Sequence, residues 1–268
     1  MSKITQAKRI VLKVGTSTLT YENGSLNLGR FERLCKVLSG LCNGGREIIL
    51  VTSGAMGVGV GKMGLSKKPE ETERRQAVAA VGQCELMFMY DKFFGEYNHI
   101  VGQVLLTRDV VEYPHSKKNT ENTFEALLQM GVIPIVNEND SVAVDELVGK
   151  KFGDNDTLSA TVAVLTKADL LIILTDIDGL YDANPQTNPN AKKISVVKGV
   201  TPQVEALAGG AGSNLGTGGM ATKIAAAKIS TEKKIPCVVM SGGDPEDLYH
   251  LLDGEPLGTV FYEEGAAE

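Results

Sequence analysis

No apolar run in this sequence approaches the roughly 20 residues that cross a bilayer, and the polar start MSKITQAKR lacks the apolar core of a signal peptide. The chain is accordingly expected in the cytoplasm, with no membrane partner. Positive charge is not in excess either. With 27 Lys and Arg against 33 Asp and Glu, the formal net charge is -6, which argues against nucleic acid or an anionic membrane surface as a partner. A local basic groove for a small anion stays open. Cysteine is scarce: Cys35, Cys42, Cys84 and Cys237 show no CxxC or Cys/His ligand spacing, so they are expected as small buried hydrophobes in a reducing compartment, not as metal ligands. The three histidines, His99, His115 and His250, show no triad or metal spacing and read as surface or packing residues. No repeat, low-complexity stretch or linker interrupts the chain. Its 268 residues, 43% hydrophobic, are expected to bury a substantial core as one large domain or two closely joined lobes, read as a single domain over 1–268.

What is present is an alternation of apolar runs with helical patterns. Arg9 to Val14, Glu47 to Thr52, Ile100 to Leu106, Val132 to Asn137, Leu170 to Thr175 and Pro236 to Ser241 are nearly continuous in Val, Ile and Leu, as strands buried on both faces require. The fold class is therefore α/β, a layered sandwich. Helices are expected over Leu28 to Leu41, Glu70 to Phe94, Asn119 to Met130, Thr157 to Lys167, Thr201 to Leu207 and Met220 to Lys233. In the second of these, Ala77, Ala80, Val81, Cys84, Met87 and Phe88 follow i, i+3, i+4 spacing and are expected to form its core face. The segment from Asp140 to Gly153 alternates around a polar centre and reads as a hairpin near the sheet edge.

Chemistry gathers where strands end. Lys13 runs straight into Gly15-Thr16-Ser17, which holds an ammonium beside backbone N–H groups able to face an anion; taken alone, it is equally an ordinary solvated strand-end lysine. The second strand ends in Thr52-Ser53-Gly54-Ala55-Met56-Gly57, followed by Gly59, Gly61 and Gly64, a glycine density that is expected to let backbone approach a ligand. Gly59-Val60-Gly61-Lys62-Met63-Gly64 satisfies GxGxxG but does not sit directly in the strand-to-helix turn, and Met63 stands where a P-loop needs Ser or Thr. Asn137-Glu138-Asn139-Asp140 and Gly153-Asp154-Asn155-Asp156 offer carboxylate and amide oxygens for an α-ammonium or for cationic side chains, with turn and N-cap chemistry as the competing reading. Thr175-Asp176 closes the fifth strand. Gly216-Thr217-Gly218-Gly219-Met220-Ala221-Thr222-Lys223 then enters an Ala-rich helix, combining glycines, a helix N-terminus and a lysine into a phosphate cradle, against which stands a plain surface loop.

Together with Lys13-Val14-Gly15-Thr16-Ser17, Val51-Thr52-Ser53-Gly54-Ala55 and Gly179-Leu180-Tyr181, these stretches resemble the ordered signature set of the glutamate 5-kinases, in the amino-acid kinase family, over nearly the whole chain. The resemblance implies a three-layer α/β/α sandwich with a mostly parallel central sheet, its acceptor part over roughly 1–165 and its nucleotide part over roughly 166–268. It implies ATP-dependent phosphorylation of the side-chain carboxylate of L-glutamate, opening proline biosynthesis, with Mg²⁺ carried by ATP. Lys13, Asp156 and Lys223 would form the catalytic set, Asp156 organising the lysines. Lys13, Thr175, Asp176, Thr217, Gly218, Gly219, Met220, Ala221, Thr222 and Lys223 would contact ATP, and Ser53, Asp140 and Asn155 would contact glutamate. A homo-oligomer and feedback by proline are implied as well. The sequence ends at GTVFYEEGAAE, so the C-terminal module resembling RNA-modifying-enzyme domains, found in the commoner bacterial form, is expected to be absent.

The reaction itself fits these residues. A glutamate carboxylate is already ionised at neutral pH and needs no general base, whereas anion repulsion and a loose phosphoryl transition state call for Lys13, Lys223, N–H groups and magnesium. Kinases of acetylglutamate, aspartate, carbamate or UMP would share the phosphate loop. The two acidic clusters favour glutamate over these. A non-catalytic amino-acid or nucleotide sensor would need no phosphate-facing lysines.

Overall fold

The computed structural model describes residues 2–21, 25–142, 154–185, 187–208, 219–263 and 265. All six expected strands are present. Arg9–Val14, Ile100–Leu106 and Leu170–Thr175 have the expected bounds, and Glu47–Val51, Val132–Glu138 and Cys237–Ser241 differ by one residue at an end. Most of the hairpin expected between Asp140 and Gly153 lies outside the described residues. Packing divides the chain into two compact units, Val14–Phe152 and Met1–Lys13 with Gly153–Glu268.

In the unit Val14–Phe152, Val132–Glu138 is the middle of three strands, parallel to Ile100–Leu106 on one side and to Glu47–Val51 on the other. Every residue of Val132–Glu138 is buried. A strand buried at every position needs a layer on each face, which the intervening helices supply. Those helices include Leu28–Asn43, Thr72–Gly95 and Pro114–Gln129.

Among the helices not foreseen are Ser2–Thr5, Thr16–Leu19, Asp109–Glu112, Asp247–Leu252 and, beside the candidate acceptor residues, Ala55–Lys62. Ala55–Lys62 (AMGVGVGK) is helical although three glycines each cost about 1 kcal/mol relative to alanine. The reason lies in packing against Thr72–Gly95. A Cβ on Gly59 would stand 2.0 Å from the Val78 carbonyl oxygen, and one on Gly82 would stand 1.7 Å from that of Ala55. These glycines bring helix backbone against helix backbone. The expected approach of this stretch to a ligand is thereby corrected at Gly59, and so is the face of the longer helix. Its buried side carries Val78, Ala79, Gly82, Gln83, Leu86, Met89, Tyr90 and Phe94. Ala77, Ala80, Val81, Cys84 and Phe88, expected in the core, are exposed, Phe88 by 60%. Both faces are apolar, so periodicity did not choose between them. Gly82 and the packing of Tyr90 on Phe31, ring centroids 4.5 Å apart, did. Cys84 is thus an exposed thiol, whereas Cys35 and Cys237 are buried as expected.

The other unit orders its five main strands as Arg9–Val14, Leu170–Thr175, Cys237–Ser241, Thr259–Tyr262 and Val196–Lys198. Leu170–Thr175 and Cys237–Ser241 are parallel, and Thr259–Tyr262 runs antiparallel to the latter. Helices Asn155–Leu165 and Met220–Thr231 pack together, and Ala160, Ala163, Ala226 and Ala227 on them are all buried. Among the described residues no helix is long and apolar enough to cross a membrane.

The glycine contact makes a testable statement. Gly82→Ala inserts a methyl into backbone and is expected to cost about 3 kcal/mol or more. At about 2–4 °C per kcal/mol for a chain of this size, that lowers Tm by roughly 6–12 °C. Gly57→Ala, which meets only the Thr16 methyl at 3.8 Å, should leave Tm unchanged or raise it. Equal effects of the two in thermal unfolding would refute the close-packing account.

Candidate active site

Arg9–Val14 begins next to Asp169, whose carboxylate accepts from the Lys8 and Arg9 amides, and its penultimate residue is Lys13. Helix Asn155–Leu165 starts from Asp154, the N-cap, whose carboxylate accepts from the Thr157 amide at 2.8 Å. The capping role weighed against function for this cluster therefore belongs to Asp154. That leaves Asp156, in the first turn, to face inward, 1% exposed. Helix Met220–Thr231 starts from Gly219 with no side-chain cap and carries Lys223 in its first turn.

These three elements bring their charges to one point. Lys13 Nζ lies 2.7 Å from Asp156 Oδ1, and Lys223 Nζ lies 3.2 Å from Oδ2. The Thr222 hydroxyl donates to Oδ2 at 2.7 Å. Lys13 and Lys223 are themselves only 7% and 3% exposed. Burial pulls the Asp156 pKa upward, but the Lys13 and Lys223 charges and the bonds from Lys13 and Thr222 outweigh it, and the net shift is downward. Two ammonium groups on one carboxylate leave the trio with a formal positive charge. At the same place helix Met220–Thr231 begins, with no side-chain cap from Gly219, so the helix dipole favours an anion beside the lysine charge.

The remaining nucleotide-side candidates are placed as follows. Thr175 is buried at its strand end, and its hydroxyl donates to the exposed Asp176 carboxylate at 3.0 Å. Gly219 and Ala221 are exposed and Met220 half-buried at the helix start. Thr217 and Gly218 lie outside the described residues. Asn155 is the first helical residue after Asp154 and is half-buried.

The acceptor-side candidates Ser53 and Asp140 belong to the unit Val14–Phe152. The Ser53 hydroxyl donates to the Val14 carbonyl at 3.0 Å, so its proton is committed. Gly54 follows in the left-handed region with φ of 97°, a conformation glycine accepts without strain, and caps helix Ala55–Lys62. Asp140 is half-buried and lines a cavity of about 370 Å³ together with Ala55, Ala79, Gln83, Glu138 and Asn139. Gln83 was not singled out from sequence, because a glutamine inside a helix carries no pattern. A larger cavity of about 580 Å³ is bordered by Lys167, Asp169 and Pro236, at the beginnings of strands. It is set aside as an active site, since ligands in α/β sheets gather at the carboxyl ends.

Asp156→Asn takes the carboxylate charge away from two buried lysines and should lose about 3–5 kcal/mol at neutral pH. A lowered folded-state pKa contributes stability above the ordinary aspartate value near 3.9 and loses it as pH falls through the folded value. Denaturant unfolding of both proteins at descending pH should show the difference between them narrowing below about pH 4. Asp154, whose pKa burial raises, acts in the opposite direction in both proteins. A difference independent of pH would remove the ion-pair assignment.

Comparison with known proteins gives the family. The model of the amino acid kinase family matches residues 8–241. A glutamate 5-kinase of Clostridium perfringens is 59% identical over 256 residues, covering 95% of each chain. One of Listeria monocytogenes is 54% identical over 256 residues, 95% of this chain and 93% of its own. Among solved structures, carbamate kinase from Giardia lamblia superposes with a TM-score of 0.67 at 15% identity, covering 97% of this chain and 100% of that one, a likeness of fold. The chain belongs to the amino acid kinase family and, within it, to the glutamate 5-kinases.

Proposed function

We propose that this chain transfers the γ-phosphoryl group of ATP to the side-chain carboxylate of L-glutamate, giving L-glutamyl 5-phosphate and ADP, the first step of proline biosynthesis. The observation that carries the reading at the level of the site is the Lys13–Asp156–Lys223 trio beside the N-terminus of helix Met220–Thr231. In the transfer, a carboxylate oxygen forms the new bond to phosphorus while the bond to the ADP oxygen breaks. No proton has to move, since the acceptor is ionised at neutral pH. What must be supplied is positive charge where negative charge spreads over the transferring group, together with alignment. Lys13 and Lys223 supply that charge, and magnesium arrives with ATP. Asp156 holds both ammonium groups at fixed positions, so they need not reorganise during the reaction.

The nucleotide is assigned to Lys13, Thr175, Asp176 and the segment from Thr217 to Lys223. Glutamate is assigned to Ser53, Asp140 and Asn155. Ser53 acts here as an acceptor or through its backbone, given the commitment of its hydroxyl proton to Val14. Asp140 provides the anionic partner for the α-ammonium, because a buried ammonium without one costs several kcal/mol. Feedback by proline and a cytoplasmic location belong to the same proposal.

A homo-oligomer is supported by Ala77, Val81 and Phe88, exposed on helix Thr72–Gly95. Exposed apolar side chains sharing a helix are candidates for burial by a second copy. Phe88→Glu should shift the elution of the native protein in size-exclusion chromatography toward monomer. An unchanged oligomer would place the contact elsewhere.

Hydroxylamine traps an acyl phosphate as the hydroxamate, which makes the reaction directly measurable. Glutamate should support turnover, whereas N-acetylglutamate, lacking the positive charge, and aspartate, one methylene shorter, should be very poor acceptors. Lys223→Ala should lower kcat by about 10²–10³-fold, and Asp140→Ala should raise KM for glutamate far more than for ATP. Faster turnover of N-acetylglutamate by the native enzyme would overturn the assignment of the acceptor.

A further inference from the structure

A chain of hydrogen bonds fixes which way one buried amide points. The Glu138 backbone N–H donates to Asn137 Oδ1 at 2.9 Å, so the other end of that side chain is its NH₂ group. Asn137 Nδ2 then donates to Gln83 Oε1 at 2.8 Å. This leaves Gln83 Nε2 as the outer donor, with the orientation set by a backbone group that cannot flip. Gln83 is 8% exposed and lines the acceptor cavity, yet its Nε2 has no hydrogen-bond partner among the described residues. Buried donors are nearly always satisfied, and the exceptions call for a reason. Here the reason lies next to it: the cavity that holds Asp140.

We propose that Gln83 is a specificity-determining contact, whose Nε2 donates to the α-carboxylate of the amino-acid acceptor. The proposal rests on the reading of this cavity as the glutamate site. An N–H donor requires an oxygen acceptor, and a glutamate whose ammonium faces Asp140 offers its α-carboxylate from the same carbon atom. The γ-carboxylate has to meet the phosphoryl donor and is not available. The commitment of the Ser53 hydroxyl proton to Val14 leaves that carboxylate in need of a side-chain donor. The N-terminus of helix Ala55–Lys62 adds its positive dipole end beside the same cavity, since Ala55 is part of the lining.

Gln83→Glu tests this with almost no change of shape. One carboxylate oxygen keeps the bond from Asn137, and the other presents an acceptor where Nε2 stood. KM for glutamate should rise about tenfold or more, a loss of the size expected for a hydrogen bond to a charged group, while KM for ATP should stay within about twofold. Isoglutamine, in which the α-carboxylate is a carboxamide with N–H donors, should gain relative to glutamate in kcat/KM for hydroxamate formation. A purely structural glutamine would lower Tm without altering that substrate ratio. If Gln83→Glu fails to fold, Gln83→Met removes the donor without adding charge and should raise KM for glutamate by a similar factor. An unchanged glutamate KM in a folded variant overturns the proposal. The two failures are separable: raised KM in the Gln83 variants with unchanged KM in Asp140→Ala keeps the Gln83 donor and discards the Asp140 assignment, and the reverse result discards Gln83 alone.

Discussion

A carboxylate that is 99% withdrawn from water must be either protonated or surrounded by positive charge, and Asp156 is surrounded. This requirement reaches well beyond the contact itself. Lys13 is placed by a strand, Asp156 by the first turn of one helix and Lys223 by the first turn of another. For the ammonium groups to reach the same carboxylate, the two helices must lie close, and they pack directly on each other. The Asp154 cap then sets the phase of its helix so that position 156 turns inward. Strand end, cap, helix packing and charge trio are parts of one constraint. Buried ion pairs contribute little net stability compared with apolar packing. The arrangement is better explained by what it preserves, a surplus of positive charge held rigidly where an anion can use it.

The strands were legible because burial on both faces leaves a simple mark, an unbroken apolar run. Lys13, Asp156 and Lys223 were legible only as a set. Each was ambiguous by itself, and it was their order along the chain with the other motifs that pointed to one chemistry. Helix Ala55–Lys62 was not legible, since glycine content argues for a loop and the compensating contact with Gly82 is tertiary. The face of helix Thr72–Gly95 failed for a related reason. Two apolar stripes compete there, and the winner is decided by backbone approach and by the Phe31–Tyr90 contact, neither of which has a periodic signature. Gln83 is the extreme case, a polar residue on the buried stripe that only its hydrogen-bond partners distinguish.

The proposed acceptor cavity sets an apparent contradiction, because an acceptor with two carboxylates would enter a space lined by Glu138 and Asp140. Like charges repel strongly where water is excluded. The conflict disappears if the acidic lining is what demands a free α-ammonium: a zwitterionic end satisfies it, and an acylated amine does not. In this proposal, recognition of the neighbouring α-carboxylate falls to a donor that carries no charge. A lysine or arginine at position 83 would pair with the acidic residues and cancel the selection for the ammonium. A neutral amide, fixed in orientation through Asn137 and the Glu138 backbone, can bind the carboxylate and leave that selection intact. On the proposed assignments, the same logic separates the two sites. Where the ligand group is wholly anionic, as a phosphate is, lysines would be used outright. Where cation and anion sit on adjacent atoms of one ligand, a carboxylate and an uncharged donor would divide the work between them.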